Sequence, residues 1–553
     1  MKKLVLIFVF ITSALYSQIG YVNVEHPVYD FLERMQSYQI IDNYDPFELP
    51  LSRKDVVNFI KTIDDNRNDL SKIDSDILND LIVEFNFDID FKTDKYQSLF
   101  PKFKVGDHFN QKEKFTYFYQ DSSNFNTFIN FVGSGELLYS MDTENSTNRN
   151  ASLFTFGAEV RGSFMDNFGY YLRATNGAQF GDKDLAATKS NLRYNYKYNE
   201  NKDDATAFDE TEGYLSAEFK YARFKIGRDR MKIGYGTLNS ILGNYAPPMD
   251  YLSFKMNYSI FSFSFFHGKL LGQMTDKPDS IQGNIRTISD KFLAYHRLSL
   301  NFSRHFKLGL GEMIVYANRS MDLSYLNPFN FYKSAEHANQ DRDNSILFFD
   351  FQNNSLKGIT FYGLVLIDDI DFSELGTDWF GNKILYDFSM TVSPFADSFP
   401  LTFGLQYIHI DPYVYTHRIH DNDYTSYQIG LGSNLQPNSQ SFITHITYKP
   451  HYRVDLKFSF QYTKHGANEL DSLGNVSVNH GGDILVGHRV NDSDIAVFLD
   501  GILEEYFNYQ FIIKYEPIKN YVLTLNSIMI DRKNVQNKLL DDVYLNLLFS
   551  LRI

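Results

Sequence analysis

Two hydrophobic periods divide the chain. Before about residue 105 apolar positions recur at helical spacing, with Val28, Phe31, Leu32 and Met35 at i, i+3, i+4 and i+7 after His26-Pro27. Asp45-Pro46 and Leu49-Pro50 mark a turn. Ser52 then reads as the N-cap of a second helix, with Asp55 three residues on and Val56, Val57, Ile60 and Ile63 along its apolar side. A third helix is expected from about Ser71, striped by Ile77, Leu78, Leu81, Ile82 and Phe85. From about residue 110 the period is two. Val454, Leu456, Phe458, Phe460 and Tyr462 alternate with Asp455, Lys457, Ser459, Gln461 and Thr463. Phe154, Phe156, Ala158 and Val160 alternate with polar neighbours, as do Phe507, Tyr509, Phe511, Ile513 and Tyr515, and the chain finishes on the stripe Val543 to Ile553.

Strands of about ten residues, apolar on one face and charged on the other, are what a transmembrane barrel with a wet lumen requires. In lipid every backbone polar group must be paired, and a closed sheet does that. Aromatic pairs such as Tyr170-Tyr171 and Phe265-Phe266 suit interfacial girdles. The segment after residue 105, at ~22 to 25 residues per strand and loop, predicts about 18 antiparallel strands. Polar stretches such as Asp182 to Glu212 and Gly466 to Asp483 are expected as loops.

The beginning of the chain carries Lys2 and Lys3, an apolar run from Leu4 to Ile11 and a small residue, Ser17. That order is a secretory signal peptide. The expected organisation is a signal peptide over 1–17, a helical periplasmic unit over 18–105 and an outer-membrane β-barrel over 106–553. No run approaches the ~18 apolar residues of a membrane helix.

Composition narrows the function. The chain has 553 residues, 51 Phe, 39 Tyr, a single Trp and no Cys, which excludes disulfides, thiolate metal ligands and a thiol nucleophile. A net charge of -15 (-17 once Lys2 and Lys3 are removed) argues against nucleic acid as a partner. Motifs for zinc hydrolysis, serine-elbow catalysis and phosphate cradling are missing. Gly234-Tyr235-Gly236 lacks a third glycine at Asn239 and reads as a turn. No enzyme activity and no cofactor is expected.

Candidate polar-ligand residues cluster at a few places. Arg228, Asp229 and Arg230 follow a strand ending at Ile226-Gly227. His296 and Arg297 lie within the strand Leu293 to Phe302, where Arg297, Ser299 and Asn301 share the lumen face. Glu312 stands among Leu310, Met313, Ile314 and Val315 and is expected to face a lumen cation such as one of these arginines. Asp368 and Asp369, with Asp371, read as a solvated strand-end turn rather than a calcium site, and His465, His480 and His488 as loop histidines rather than metal ligands. Such lumen charges either pair across strands or bind an acidic sugar by bidentate hydrogen bonds.

Several segments resemble the Wzi family of outer-membrane capsule-assembly proteins. GRDRMKIGYGTLNSILGNYAPPMDY (227–251) and HRLSLNFSRHFKLGLGEMIVYANRSMDLSYLNPFNF (296–331) carry the resemblance, with Asp343-Asn344, Asp368-Asp369, DPYVYTHR (411–418), LGSNLQPNSQ (431–440) and KHGANELDSLGNVSVNHGGD (464–483) following in order. The unit containing His26 to Asp30 and Leu51 to Arg53 resembles the segment preceding the barrel. The resemblance implies a non-catalytic barrel that holds capsular polysaccharide at the cell surface. Capsular or other surface polysaccharide, outer-membrane lipid and surface proteins are then the expected partners. A porin, or a component of gliding motility or adhesion, is the alternative reading.

Overall fold

The computed structural model describes residues 19–90, 96–100, 106, 109–121, 125–195, 198, 206–281, 283–340, 342–396, 398–535 and 541–553. The expected signal peptide lies outside them. Period-two patterning becomes a closed antiparallel barrel of 18 strands. They are β1 Asn126–Asp142, β2 Thr147–Phe164, β3 Phe168–Gly181, β4 Thr206–Glu218, β5 Ala222–Asp229 and β6 Met249–Tyr258. Next come β7 Phe261–Asp279, β8 Gly283–Ser303, β9 Phe306–Ala317, β10 Asn344–Asn353, β11 Ile359–Asp369 and β12 Lys383–Val392. The last six are β13 Leu401–Ile410, β14 Ser439–His451, β15 Val454–Ala467, β16 Ile502–Ile518, β17 Tyr521–Lys533 and β18 Val543–Arg552. β18 closes the ring on β1, with Leu547 opposite Leu137. A short strand, Tyr117–Gln120, also pairs with β1.

The alternation places the two faces as expected. Phe154, Phe156, Ile226, Leu298, Leu310, Phe511 and Phe549 are exposed on the outer wall. Their neighbours Glu159, Arg161, Arg297 and Asp350 are buried inside. Loop lengths differ by end. Two to eight residues join strands at the end where β2 turns into β3, whereas the other end carries the long segments 182–205, 230–248, 318–343, 370–382, 411–438 and 468–501. The stretch 206–212, expected within a loop, is strand. There the outward residues of β4 are Ala207, Asp209 and Thr211, so both faces are polar and the alternation is hidden.

Among the described residues four α-helices precede the barrel: α1 Val28–Ser37, α2 Arg53–Asp65, α3 Lys72–Glu84 and α4 Asn86–Asp90. Ser52 and Ser71 cap α2 and α3, accepting from the Asp55 and Asp74 N–H groups. The apolar stripes converge on one core holding Phe31, Leu32, Met35, Ile60, Leu78 and Phe85. This unit packs on the short-turn end. Gly358 N–H donates to Ser37 O at 2.7 Å, Arg223 Nη2 pairs with Asp55 at 2.7 Å, and Lys519 Nζ with Asp80 at 2.7 Å.

Between α1 and α2 the chain rises into the lumen. Glu48–Leu49 pairs antiparallel with Lys232–Ile233 of the long segment after β5. Phe47 joins the core inside the barrel with Tyr235, Tyr295, Phe348, Tyr362, Leu364 and Tyr415. The lumen beside β6 to β14 is thus filled from both ends.

Candidate functional site

Arg297 is the centre of the filled half. Its Nε and Nη2 donate to the two carboxylate oxygens of Asp350 at 2.8 and 2.7 Å. Nη1 donates to Asp45 Oδ2 at 3.1 Å, and the guanidinium lies 4.1 Å from the centre of the Phe47 ring. Asp350 is two strands away, and Gly309 of β9 lies between. A Cβ on Gly309 would stand 2.0 Å from Asp350 Oδ2 and 2.7 Å from Arg297 Nε, so only glycine lets the pair bridge the intervening strand. Lys307 Nζ reaches Asp45 at 3.1 Å and Lys255 Nζ reaches Glu48 at 3.0 Å. Burial alone would raise the Asp45 and Glu48 carboxyls. The cations outweigh it, Lys307 and Arg297 around Asp45 and Lys255 and Arg297 around Glu48, and hold both below their ordinary values. Arg297, 2% exposed, is a latch between plug and wall, with its donors already committed.

The other predicted residues separate. Arg228 faces outward at the long-loop end of β5 and pairs with Asp250 at 3.1 Å, so it belongs to the rim and not to the lumen. Asp229 is buried inside, accepting from Lys225 Nζ and the Tyr251 hydroxyl. Arg230 donates to Asn244 O at 2.8 Å and to Tyr194 OH and Glu210 Oε1 at 2.9 Å each. It lines two adjoining cavities of about 180 and 330 Å³ that share Asn23, Arg173, Glu212 and Arg230, so the β2 to β5 side of the lumen keeps a narrow, charged space beside the plug.

Glu312 corrects the expectation. Its register partner is His296, and both stand on the outer face with Leu298 and Leu310, opposite in parity to Arg297. His296 Nε2 lies 3.1 Å from Glu312 Oε2, which also accepts from the Tyr332 N–H at 2.9 Å. The partner Glu312 needs comes from the neighbouring strand and an overlying loop, because the one-residue offset between His296 and Arg297 puts the arginine on the other side of the wall.

Asp368 and Asp369 end β11 and, with Asp343, Trp379, Lys383 and His417, line a cavity of about 270 Å³ open at the long-loop end. Asp368 is buried and accepts from the Tyr415 N–H; Asp369 is exposed. Burial depresses His417 to about 4, so its ring is neutral at physiological pH. His488 stacks on Phe380 with centroids 3.6 Å apart, forming an aromatic wall beside Trp379. His465 is held elsewhere by Glu504 and Gly482 O, and His480 sits near Glu469 and Asp500, so the three histidines do not converge. Among the described residues no group of three His, Cys, Asp or Glu side chains is placed to hold a metal ion.

A second cavity at this end, about 450 Å³, is lined by the amide and hydroxyl side chains of Asn434, Gln436, Gln461, Thr463, Tyr506 and Asn508, with the carboxylates of Asp483 and Glu504 and apolar residues such as Leu435 and Leu470. Asn508 Oδ1 is buried there with no protein partner. Sequence reasoning missed this cavity and the Trp379 wall. Their only advance signal was the Asn, Gln and Gly content of the segments around Asn434 and Asn468, which also describes any polar loop.

No protein-family model matches the chain, and no curated protein matches it in sequence. In three dimensions it is similar to Wzi of Escherichia coli, an outer membrane protein involved in group 1 capsule assembly and described as a carbohydrate-binding β-barrel. The TM-score is 0.59 and identity 11%, over 96% of this chain and 99% of Wzi. OpdK and OprD, outer membrane proteins of Pseudomonas aeruginosa, overlay 77% of the chain with TM-scores of 0.43 and 0.44 at 10% and 8% identity, covering 98% and 93% of their own lengths. Over nearly the whole of both chains, then, the protein shares the fold of Wzi: a closed barrel of 18 antiparallel strands with short helices at the N-terminal end.

Proposed function

We propose that the chain is exported to the outer membrane and binds surface polysaccharide there, without catalysis, in capsule assembly or anchoring. One observation carries this reading: two cavities open at the long-loop end, one with an aromatic wall among charged side chains and one with amide, hydroxyl and carboxylate groups, above a lumen filled beside β6 to β14. Sugar hydroxyls pair with amides and hydroxyls, and aromatic faces such as Trp379 accept the apolar face of a pyranose. A repeating polymer engaging several weak subsites gains avidity without a tight single site. The likeness to Wzi supports the same reading. The helical unit is then periplasmic and the long loops extracellular.

Trp379 is the sole tryptophan, so its fluorescence reports the cavity directly. Titrating the purified protein with the cell's own surface polysaccharide is expected to change that emission saturably, and deleting the gene to move polysaccharide from the cell to the medium. Neither change occurring overturns the proposal. The charged space around Arg173 and Arg230 favours one second reading, a narrow selective pore, which stepwise conductance of the wild-type protein in planar bilayers would reveal.

A further inference from the structure

The outer wall of the barrel is covered at one place by its own loop. In β8 the outward residues from the short-turn end upward are Phe302, Leu300, Leu298, His296, Ala294, Phe292 and Asp290. Asp290 makes an exposed ion pair with Lys269 at 2.9 Å and marks the polar edge. His296 therefore stands halfway between Phe302 and Asp290, a span of 12 residue steps that at ~3.3 Å per step and ~40° tilt rises about 30 Å, enough to cross the ~25 Å apolar band of such barrels. A His–Glu pair at that height would face hydrocarbon. Instead the segment Asn318 to Gln340 descends over it. The Tyr332 ring stacks on His296 at 4.4 Å, Phe329 stacks on Phe263 at 5.1 Å, and Tyr325, Tyr332 and Ala335 bury Phe292, Ala294, Ile314 and Tyr316.

Backbone at that depth has to be satisfied within the protein, and much of this segment is bonded internally. Asp322 N–H donates to Tyr316 OH and Ser324 N–H to Asp322 Oδ1. Tyr325 and Leu326 donate to Asp322 O, Phe329 to Asn327 Oδ1, Asn330 to Asn327 O, and Tyr332 to Glu312. Yet among the exposed residues of this segment four are large and apolar, Leu323 at 78%, Phe329 at 70%, Phe331 at 54% and Met321 at 47%, alongside the polar Ser320, Asn327, Ser334 and His337. Phe329 joins the segment to the lipid-facing wall through Phe263, the register partner of Leu298.

We infer that Asn318–Gln340 is a re-entrant segment whose Met321, Leu323, Phe329 and Phe331 side chains contact the acyl chains of the surrounding lipid. An extracellular loop is thereby folded down into the membrane, and the Glu312–His296 pair is its internal fastening point. The inference rests on the membrane placement and is independent of polysaccharide binding.

The chain's lack of cysteine makes the test clean. Leu323→Cys and Phe329→Cys, each labelled with an environment-sensitive NBD probe, would be reconstituted at about one copy per phosphatidylcholine vesicle. Leu473→Cys, an equally exposed leucine on another loop (84%), and Phe156→Cys on the lipid-facing wall serve as references. Heat-modifiable gel mobility checks folding, with Met321→Cys available if either variant misfolds. The expected result is several-fold quenching of the Leu323 and Phe329 probes by doxyl-labelled lipid and none by aqueous iodide, matching Phe156 and opposite to Leu473. Iodide quenching of both loop probes, with Phe156 still lipid-quenched, overturns the inference. Iodide quenching at Phe156 as well would instead overturn the membrane placement. Lipid protection that appears only at many copies per vesicle would assign the face to a second copy of the chain and overturn it too.

Discussion

Phe47 and Tyr235 meet in the middle of the lumen with ring centroids 4.8 Å apart and planes at 64°. One comes from the helical unit at the short-turn end, the other from the long segment after β5. Their contact is the seam at which two plugs entering from opposite ends become a single packed core. Phe47→Ala should open that seam. A fully buried Phe→Ala change costs about 3–5 kcal/mol, so the midpoint of heat-modifiable unfolding should fall, and ion conductance in planar bilayers should rise above that of the wild type.

Arg297→Met leaves Asp350 buried without its bidentate partner. Removing one member of a buried pair is strongly destabilising, about 3–5 kcal/mol. The double variant Arg297→Met, Asp350→Leu removes both charges and should recover a large part of the loss in guanidinium unfolding. A double variant no more stable than the single one would show that the pair is not the latch.

Gly309→Ala tests the same latch without touching a charge. The added methyl cannot occupy its position unless Asp350 or Arg297 moves. Overpacking of this kind costs about 1–3 kcal/mol, to be read as a lowered unfolding midpoint. Gly283→Ala, on a turn where a Cβ meets nothing within 4 Å but φ is +83°, provides the contrast of backbone strain without collision.

Acid should loosen the plug. Asp45 and Glu48 have folded values below their ordinary 3.8 and 4.5, so their stabilisation is fully present above those ordinary values and is lost as pH falls through the lower folded ones. Glu33, raised by burial, acts in the opposite sense and gains the fold a little stability on acidification. Protease cleavage of the 40–50 segment is expected to stay flat from pH 7 to about 5 and to increase below about 4. Asp45→Asn with Glu48→Gln should show raised cleavage already at pH 7.

At the long-loop end, Trp379→Ala is expected to weaken polysaccharide binding about two- to tenfold, since a single aromatic contact is worth about 0.5–1.5 kcal/mol. Isothermal titration measures this where the fluorescent reporter has been removed. Gln461→Ala with Asn508→Ala addresses the second cavity, and affinity unchanged in both variants would move the binding surface elsewhere.

The barrel was legible because lipid and lumen impose opposite polarity on alternate residues. Val454 to Thr463 shows this in ten positions, and its two faces lie where the alternation puts them. The three helices were legible through Ser52, Ser71 and their apolar stripes. Legibility failed wherever a residue answers to something other than the wall. Thr206 to Glu212 stands above the apolar band, so its outer face is polar and the strand reads as a loop. Glu312 and His296 face outward but are roofed by Tyr332, so their polarity points to the lumen when read along β9 alone. Phe47, between Pro46 and Glu48, reads as a turn residue, because its partners Arg297 and Tyr235 are some 190 to 250 positions away and nothing local announces them.

That separation also fixes an order of assembly. The helical unit carries its own core, but Asp45 and Glu48 find their cations only on β6, β8 and β9. The plug is therefore seated only once those neighbouring strands are in place, and a folding factor that receives this chain has to keep both halves of an unmade ion-pair network hydrated until they pair.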